Sequence, residues 1–174
     1  RHVIFEQRKN IIDVKEKENY SDIFLEEVLE NLKKQKILYE KSPNSKDFPK
    51  ALRQTLGKSI EDDGLDRILN SDLKGMEKTI KDKFINNRNE RNNLLGIDQG
   101  KEIEKRILVQ IIDQNWKSHI QYLEQLRQVI GLRSYGQRDP LVEYKKEAFD
   151  LFENLLSKLK LDLITILINL KVIE

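Results

Sequence analysis

The sequence predicts an all-α fold of long amphipathic helices, on three observations. Charged residues fill 36% of the 174 positions, against roughly 25% in an ordinary globular domain. Leu, Ile, Val and Phe still supply about a third of the chain, too much apolar side chain for a disordered polymer. Only 7 Gly and 3 Pro interrupt it, so apolar positions recur at helical spacing over long stretches, and no strand-like alternation of useful length competes. The charges nearly cancel to +2, which offers phosphate little net attraction and argues against a general nucleic-acid binder. The lack of cysteine excludes a disulfide scaffold and any Cys-bearing metal site. The most apolar run, 161–173, is broken by Asp162, Asn169 and Lys171 and falls short of the roughly 20 residues a bilayer requires. Beginning Arg1-His2-Val3-Ile4, with no initiator Met and no signal-peptide pattern of charged then apolar residues, the chain reads as a piece of a longer protein.

Each element has its own local reason. Residues 1–18 place Ile4, Phe5, Arg8, Ile11 and Ile12 on one stripe, with no capping residue ahead of them, as at the tail of a helix that starts upstream. Asn19 or Ser21 caps a helix over 22–39 that turns Leu25, Val28, Leu29 and Leu32 inward. Ser42, Pro43, Asn44 and Ser45, then Phe48-Pro49, break it. Signals over 50–69 are short, with turns at Gly57 and Asp62-Asp63-Gly64. A longer helix from about Asp72 carries Leu73, Met76, Ile80 and Phe84, and runs into a polar stretch over 86–93 that reads as a solvated helix end or loop. Asp98 caps a helix over 99–132 with Leu108, Ile112, Trp116, Ile120, Leu123, Leu126 and Ile130 on one stripe.

A short link over 133–138 follows. Asp139 then stands as N-cap with Pro140 at the first helical position, where its missing N–H is no loss. The last helix, 141–171, has a stripe of Tyr144, Ala148, Leu151, Phe152, Leu155, Leu159, Leu163, Ile166, Leu167 and Leu170. Two long amphipathic helices joined by a short link predict an antiparallel hairpin. Near its end the last helix is apolar on a second side, through Leu161, Ile164 and Ile168, so a second element must cover it. The helix over 1–18 is the candidate, which would bring the termini together with 19–95 as an excursion between them.

The chain is poor in catalytic groups. It has no GxxxxGK[ST], GxGxxG or GxSxG motif, hence neither a phosphate cradle nor a nucleophile elbow. His2 and His119 lie in different helices without ligand spacing. Trp116 is expected to pack in the hairpin core and His119 to line its edge. The tip is different: Arg133, Ser134, Tyr135, Gly136, Gln137 and Arg138 stand at the end of a rod, and an aromatic there either meets an outside partner or folds back on the stems. Asp139, Glu143 and Glu147 beside Lys145 and Lys146 fit cap and macrodipole duty.

At this point the residues say more than their periodicity. Asp113, Trp116, His119 and Ile120 stand in a pattern that resembles the D-x-x-W-x-x-H-L segment of SecA, the motor ATPases of bacterial preprotein export. Leu126-Arg127-Gln128, Ile130, Leu132-Arg133, Tyr135 and Gln137-Arg138-Asp139-Pro140 resemble the family's L-R-Q-x-I-x-L-R-x-Y-x-Q-[KR]-D-P signature. Glu143-Tyr144-Lys145, Glu147, Ala148 and Phe149 continue it, and residues 1–8 are similar to the end of the family's long scaffold helix. Ser134 departs from a glycine common in the family.

The resemblance implies an order of parts. Residues 1–18 would end the scaffold helix, 19–95 would be a helical wing domain, and 96–174 a two-helix finger with the last scaffold helix. It implies that the tip, centred on Tyr135, engages the SecY channel and the unfolded preprotein. Trp116, His119, Leu126, Arg127, Asp139, Pro140, Glu143 and Tyr144 would form the hairpin core and family motif. It further implies packing against nucleotide-binding domains of the parent chain, whose ATP hydrolysis the hairpin restrains, and a place at the cytoplasmic face of the bacterial plasma membrane, where acidic phospholipid is a further partner. No cofactor is expected in this segment. ATP and Mg would belong to the rest of the parent, so this segment is not expected to be an enzyme by itself. Exposed scaffold surface would let the isolated piece self-associate. Two competing readings are a helical adaptor or oligomerisation module, and an RNA-binding hairpin using Arg133, Tyr135 and Arg138.

Overall fold

The computed structural model describes residues 2–16, 20–133 and 139–172. Among these residues seven α-helices follow one another: α1 (His2–Glu16), α2 (Tyr20–Lys41), α3 (Asp47–Leu56), α4 (Asp62–Asn70), α5 (Leu73–Leu95), α6 (Ile97–Arg133) and α7 (Pro140–Asn169), with one 3-10 turn at Gly57–Ser59 between α3 and α4. No strand occurs among the described residues. The predicted all-α class holds.

The chain divides into two compact units, residues 1–20 with 108–159, and residues 21–107 with 160–174. In the first, α1, the later part of α6 and the earlier part of α7 pack together. Leu123, Leu126, Ile130 and Ala148 form a buried cluster, with Val3, Ile4, Ile120, Tyr144 and Leu151 packed against it. Lys158 Nζ donates to Asn115 Oδ1 at 3.1 Å. Residue 158 therefore lies by 115 while 144–151 lie by 120–130, so the α6 and α7 stretches run antiparallel.

The start of α7 obeys its sequence signal. Asp139 Oδ1 accepts from the Leu141 N–H at 3.0 Å, and Pro140 opens the helix with no donor to orphan. The face of α1 differs from expectation. Ile4 and Gln7 turn inward and Ile11 is buried, whereas Phe5 is 69% exposed and Arg8 and Ile12 face out. The physical reason is Gln7, whose amide has two buried partners and rotates the helix toward them.

In the second unit α2 buries Phe24, Leu25, Val28, Leu29 and Leu32, the stripe foreseen with Phe24 added. On α5, Met76, Ile80 and Phe84 are buried at helical spacing. The helix continues through the polar stretch to Leu95 rather than ending in it. Lys83, Asn87 and Arg91, each four residues on and so on one face, all donate to main-chain carbonyls. Lys83 Nζ reaches Ser59 O at 3.1 Å. Asn87 Nδ2 reaches Leu167 O and Ile168 O, both at 2.8 Å, and Arg91 Nη1 reaches Leu167 O at 2.9 Å. Leu167 and Ile168 stand in the last turn of α7, whose carbonyls have no intrahelical donors.

From the other side, Asn169 Nδ2 donates to Thr55 O at 3.1 Å and its Oδ1 accepts from the Ser59 N–H at 3.2 Å. The end of α7 is thus held by α5, α3 and the 3-10 turn. α1, the element expected to cover it, is grouped with the other unit, where Gln7 bonds Ala148 O. Ala148 is one of only two alanines in the chain, and it is buried in the cluster against which Val3 and Ile4 of α1 pack. Ile164 and Ile168 are buried as the second apolar side required, but Leu161 and Ile166 remain exposed.

The α5–α6 corner turns at Gly96, where φ is 90° and ψ 152°. A Cβ there would meet nothing within 4 Å, so only the backbone resists substitution. Gly96→Ala is expected to cost about 1–3 kcal/mol, read as a fall in the urea midpoint. An unchanged midpoint would show that the corner relaxes freely.

Candidate functional site

The family-motif residues gather in the first unit, around a polar tie inside its apolar packing. Gln7 Nε2 donates to Ala148 O at 3.1 Å, and Gln7 Oε1 lies 2.6 Å from His119 Nε2. The amide nitrogen being committed to the carbonyl, the amide oxygen faces the ring as an acceptor. His119 therefore carries its proton on Nε2 in the neutral form. One glutamine on α1 thus ties the side chain of α6 to the backbone of α7.

His119 is 3% exposed. Its ring stacks at a tilt between Trp116, 5.4 Å between centroids, and Phe152, 5.8 Å. Burial pulls its pKa below the ordinary histidine value. Trp116 is only half-buried. The expected roles are therefore exchanged: the histidine lies in the core and the tryptophan lines its edge. A histidine paired through Nε2 can be buried without an orphan donor there, and the larger indole covers it. Gln7 was the residue that sequence reasoning missed. Its one available signal was the i, i+3, i+7 spacing of Ile4, Gln7 and Ile11.

Toward the far end of the hairpin, Leu126 is buried in the apolar cluster. Arg127 is exposed and pairs loosely with Glu124, at 3.7 Å. Tyr144 is half-buried; burial raises its phenol pKa, with Glu124 adding and Arg127 opposing. Glu143 is half-buried beside it, and its N–H donates to Asp139 O at 3.1 Å in the first turn. Asp139 and Pro140 do the capping already described. Arg133 ends α6, while its side chain and the tip residues Ser134, Tyr135, Gly136, Gln137 and Arg138 lie outside the described residues. Exposed apolar side chains flank the link on both stems: Val129 and Leu132 before it, Leu141 and Val142 after it.

The described residues hold no cluster of three or more His, Cys, Asp or Glu able to bind a metal ion. No helix among them is long and apolar enough to cross a membrane.

Comparison with known proteins agrees with the motif. The family model of the SecA wing and scaffold domain matches residues 1–171. The protein translocase subunit SecA of Pelagibacter ubique (strain HTCC1062) is 52% identical over 174 residues, all of this chain and 20% of the relative. The subunit of Heliobacterium modesticaldum (strain ATCC 51547 / Ice1) is 29% identical over 178 residues, 99% of this chain and 20% of the relative. That of Pelotomaculum thermopropionicum is 37% identical over 108 residues, 59% of this chain and 12% of the relative. The chain thus spans about a fifth of the length of the relatives it matches throughout. With a wing-and-scaffold match over nearly every residue, the chain belongs to the SecA family.

Proposed function

We propose that this chain is the scaffold-and-wing part of an ATP-driven protein translocase, and that its α6–α7 pair is a two-helix finger whose tip engages a SecY-type channel and the unfolded preprotein in transit. The observation that carries the reading is the wing-and-scaffold match over residues 1–171, joined to a full-length relative named a protein translocase subunit. In this reading residues 1–18 end the scaffold helix, 19–95 are the wing and 96–174 hold the finger and last scaffold helix. The tip residues are Arg133, Ser134, Tyr135, Gly136, Gln137 and Arg138. Tyr135 suits contact with a chain of arbitrary sequence, because its face packs on any apolar group while its hydroxyl bonds any backbone.

The braced stems fit the same role. A finger transmits position only if its base is rigid, and Gln7, His119 and Ala148 O bind three helices there. Nucleotide chemistry belongs to the remainder of the parent protein, since this sequence has no Gly-rich phosphate loop; the hairpin would restrain that ATPase by packing on its domains. The site of action is the cytoplasmic face of the bacterial plasma membrane, where acidic lipid is a further contact.

The test is made in the full-length protein. Tyr135→Ala is expected to lower preprotein translocation about tenfold, the effect of roughly 1.4 kcal/mol of lost contact, with α-helix content unchanged. A photoreactive residue at 135 should capture channel or stalled preprotein. Normal translocation by the alanine variant, or capture of RNA, would overturn the tip mechanism.

A further inference from the structure

We infer that the Gln7–His119–Ala148 tie is an acid-released latch, holding α1 on the α6–α7 pair while His119 is neutral and freeing it when the ring is charged. The inference stands on the geometry of the first unit and does not depend on the translocase reading. Three helices share one polar connection through Gln7, and its α6 end is an imidazole, a group that can take up a proton. In the neutral ring Nε2 donates to Gln7 Oε1, so an added proton goes to Nδ1. It brings a full charge between the rings of Trp116 and Phe152, in a side chain 3% exposed. The ring faces offset part of that charge, but desolvation outweighs them.

Among the described residues no charged side chain is bonded to the ring. From α1 the ring meets the uncharged Gln7, whose flanking Glu6 and Arg8 are exposed. From α7 it meets Phe152, with Glu153 exposed and Glu147 half-buried beside Ala148. Lys158 of α7 is occupied one turn away on Asn115, and Lys117 of α6 is exposed. Burial disfavours the charged imidazole.

The sign follows from linkage. Undocked, His119 has the ordinary value near 6.5; docked, its value is lower. The undocked state takes up the proton first, so docking is at full strength above about pH 6.5 and weakens as pH falls through that value toward the lower, docked one. One proton can raise the opening constant by at most about tenfold per pH unit.

Hydrogen exchange of the α1 amides in the 174-residue chain, corrected for intrinsic rates, reads this directly. From pH 7.5 to 5.5 the α1 opening constant should rise severalfold, while His119→Gln, uncharged at every pH, should give a flat profile. An equal rise in the variant, or none in the natural chain, overturns the latch. Should the variant fail to fold, NMR titration of His119 in the natural chain decides: a value below 6.5, tracked by the fluorescence of Trp116, the only tryptophan, supports the latch. A value at or above it overturns the latch.

Discussion

Arg91→Ala is expected to destabilise the second unit by about 3 kcal/mol. Arg91 is 2% exposed in the middle of what reads as a polar loop. Its Nη1 holds the Leu167 carbonyl at 2.9 Å, and its Nη2 stands 3.9 Å from Glu104. Burial lowers its pKa; Glu104 opposes this and the neighbouring Arg88 charge adds to it. Arg88 is also desolvated, but Glu104 and Asp22 outweigh that and raise its pKa. Truncating Arg91 strands less than a lone buried pair would, because Glu104 keeps Arg88 at 3.0 Å and Leu167 O keeps Asn87 at 2.8 Å. The loss is therefore placed at the lower end of the 3–5 kcal/mol typical of broken buried pairs. Arg91→Lys keeps the charge without the planar fork and should lie between. Urea unfolding followed by circular dichroism measures the cost, and amide exchange in the α7 end locates it. A loss below about 1 kcal/mol would show that Asn87 and Asn169 hold the helix end without Arg91.

The same arginine shows where sequence reading stops. Helix existence and the apolar stripes of α2, α5, α6 and α7 were legible because burial of Leu, Ile and Phe at 3.6-residue spacing has one physical cause. The start of α7 was legible because Asp139 and Pro140 act locally, within two residues. Apart from Leu161 and Ile166, which stay exposed, the misreadings involve polar groups buried by partners distant in sequence. Gln7 finds Ala148 across 141 positions, Arg91 finds Leu167 across 76, and His119 finds Gln7 across 112. Periodicity scores such residues as solvent-facing, so it rotated α1 toward Phe5 and Arg8, put Trp116 inside His119, and ended α5 before its clamp. It also could not say which element covers the end of α7, because the answer lay in Asn87 and Asn169, whose partners are backbone carbonyls with no sequence signature. The tip residues were singled out by exposure at a link, and given a role only through family resemblance.

Phe84→Ala should cost the same unit more than Arg91→Ala, about 3–5 kcal/mol. The ring is 1% exposed and completes the Met76, Ile80, Phe84 stripe, one helical turn apart at each step. Removing it leaves a cavity that the neighbouring turns of α5 cannot close without moving the Lys83, Asn87 and Arg91 face. It also removes the surface on which Arg88 rests, its guanidinium carbon 4.7 Å from the ring centroid. Arg88 bridges Asp22 of α2 and Glu104 of α6, both at 3.0 Å, so its placement links two helices to α5. The two losses are separable. Phe84→Leu restores most apolar volume but no π face, and should recover most of the stability. A double-mutant cycle of Phe84→Leu with Arg88→Met then isolates the cation–π contact, expected at about 0.5–2 kcal/mol for a partly desolvated pair. A coupling near zero would assign Arg88 to its carboxylates alone, leaving the cavity as the whole cost of Phe84→Ala.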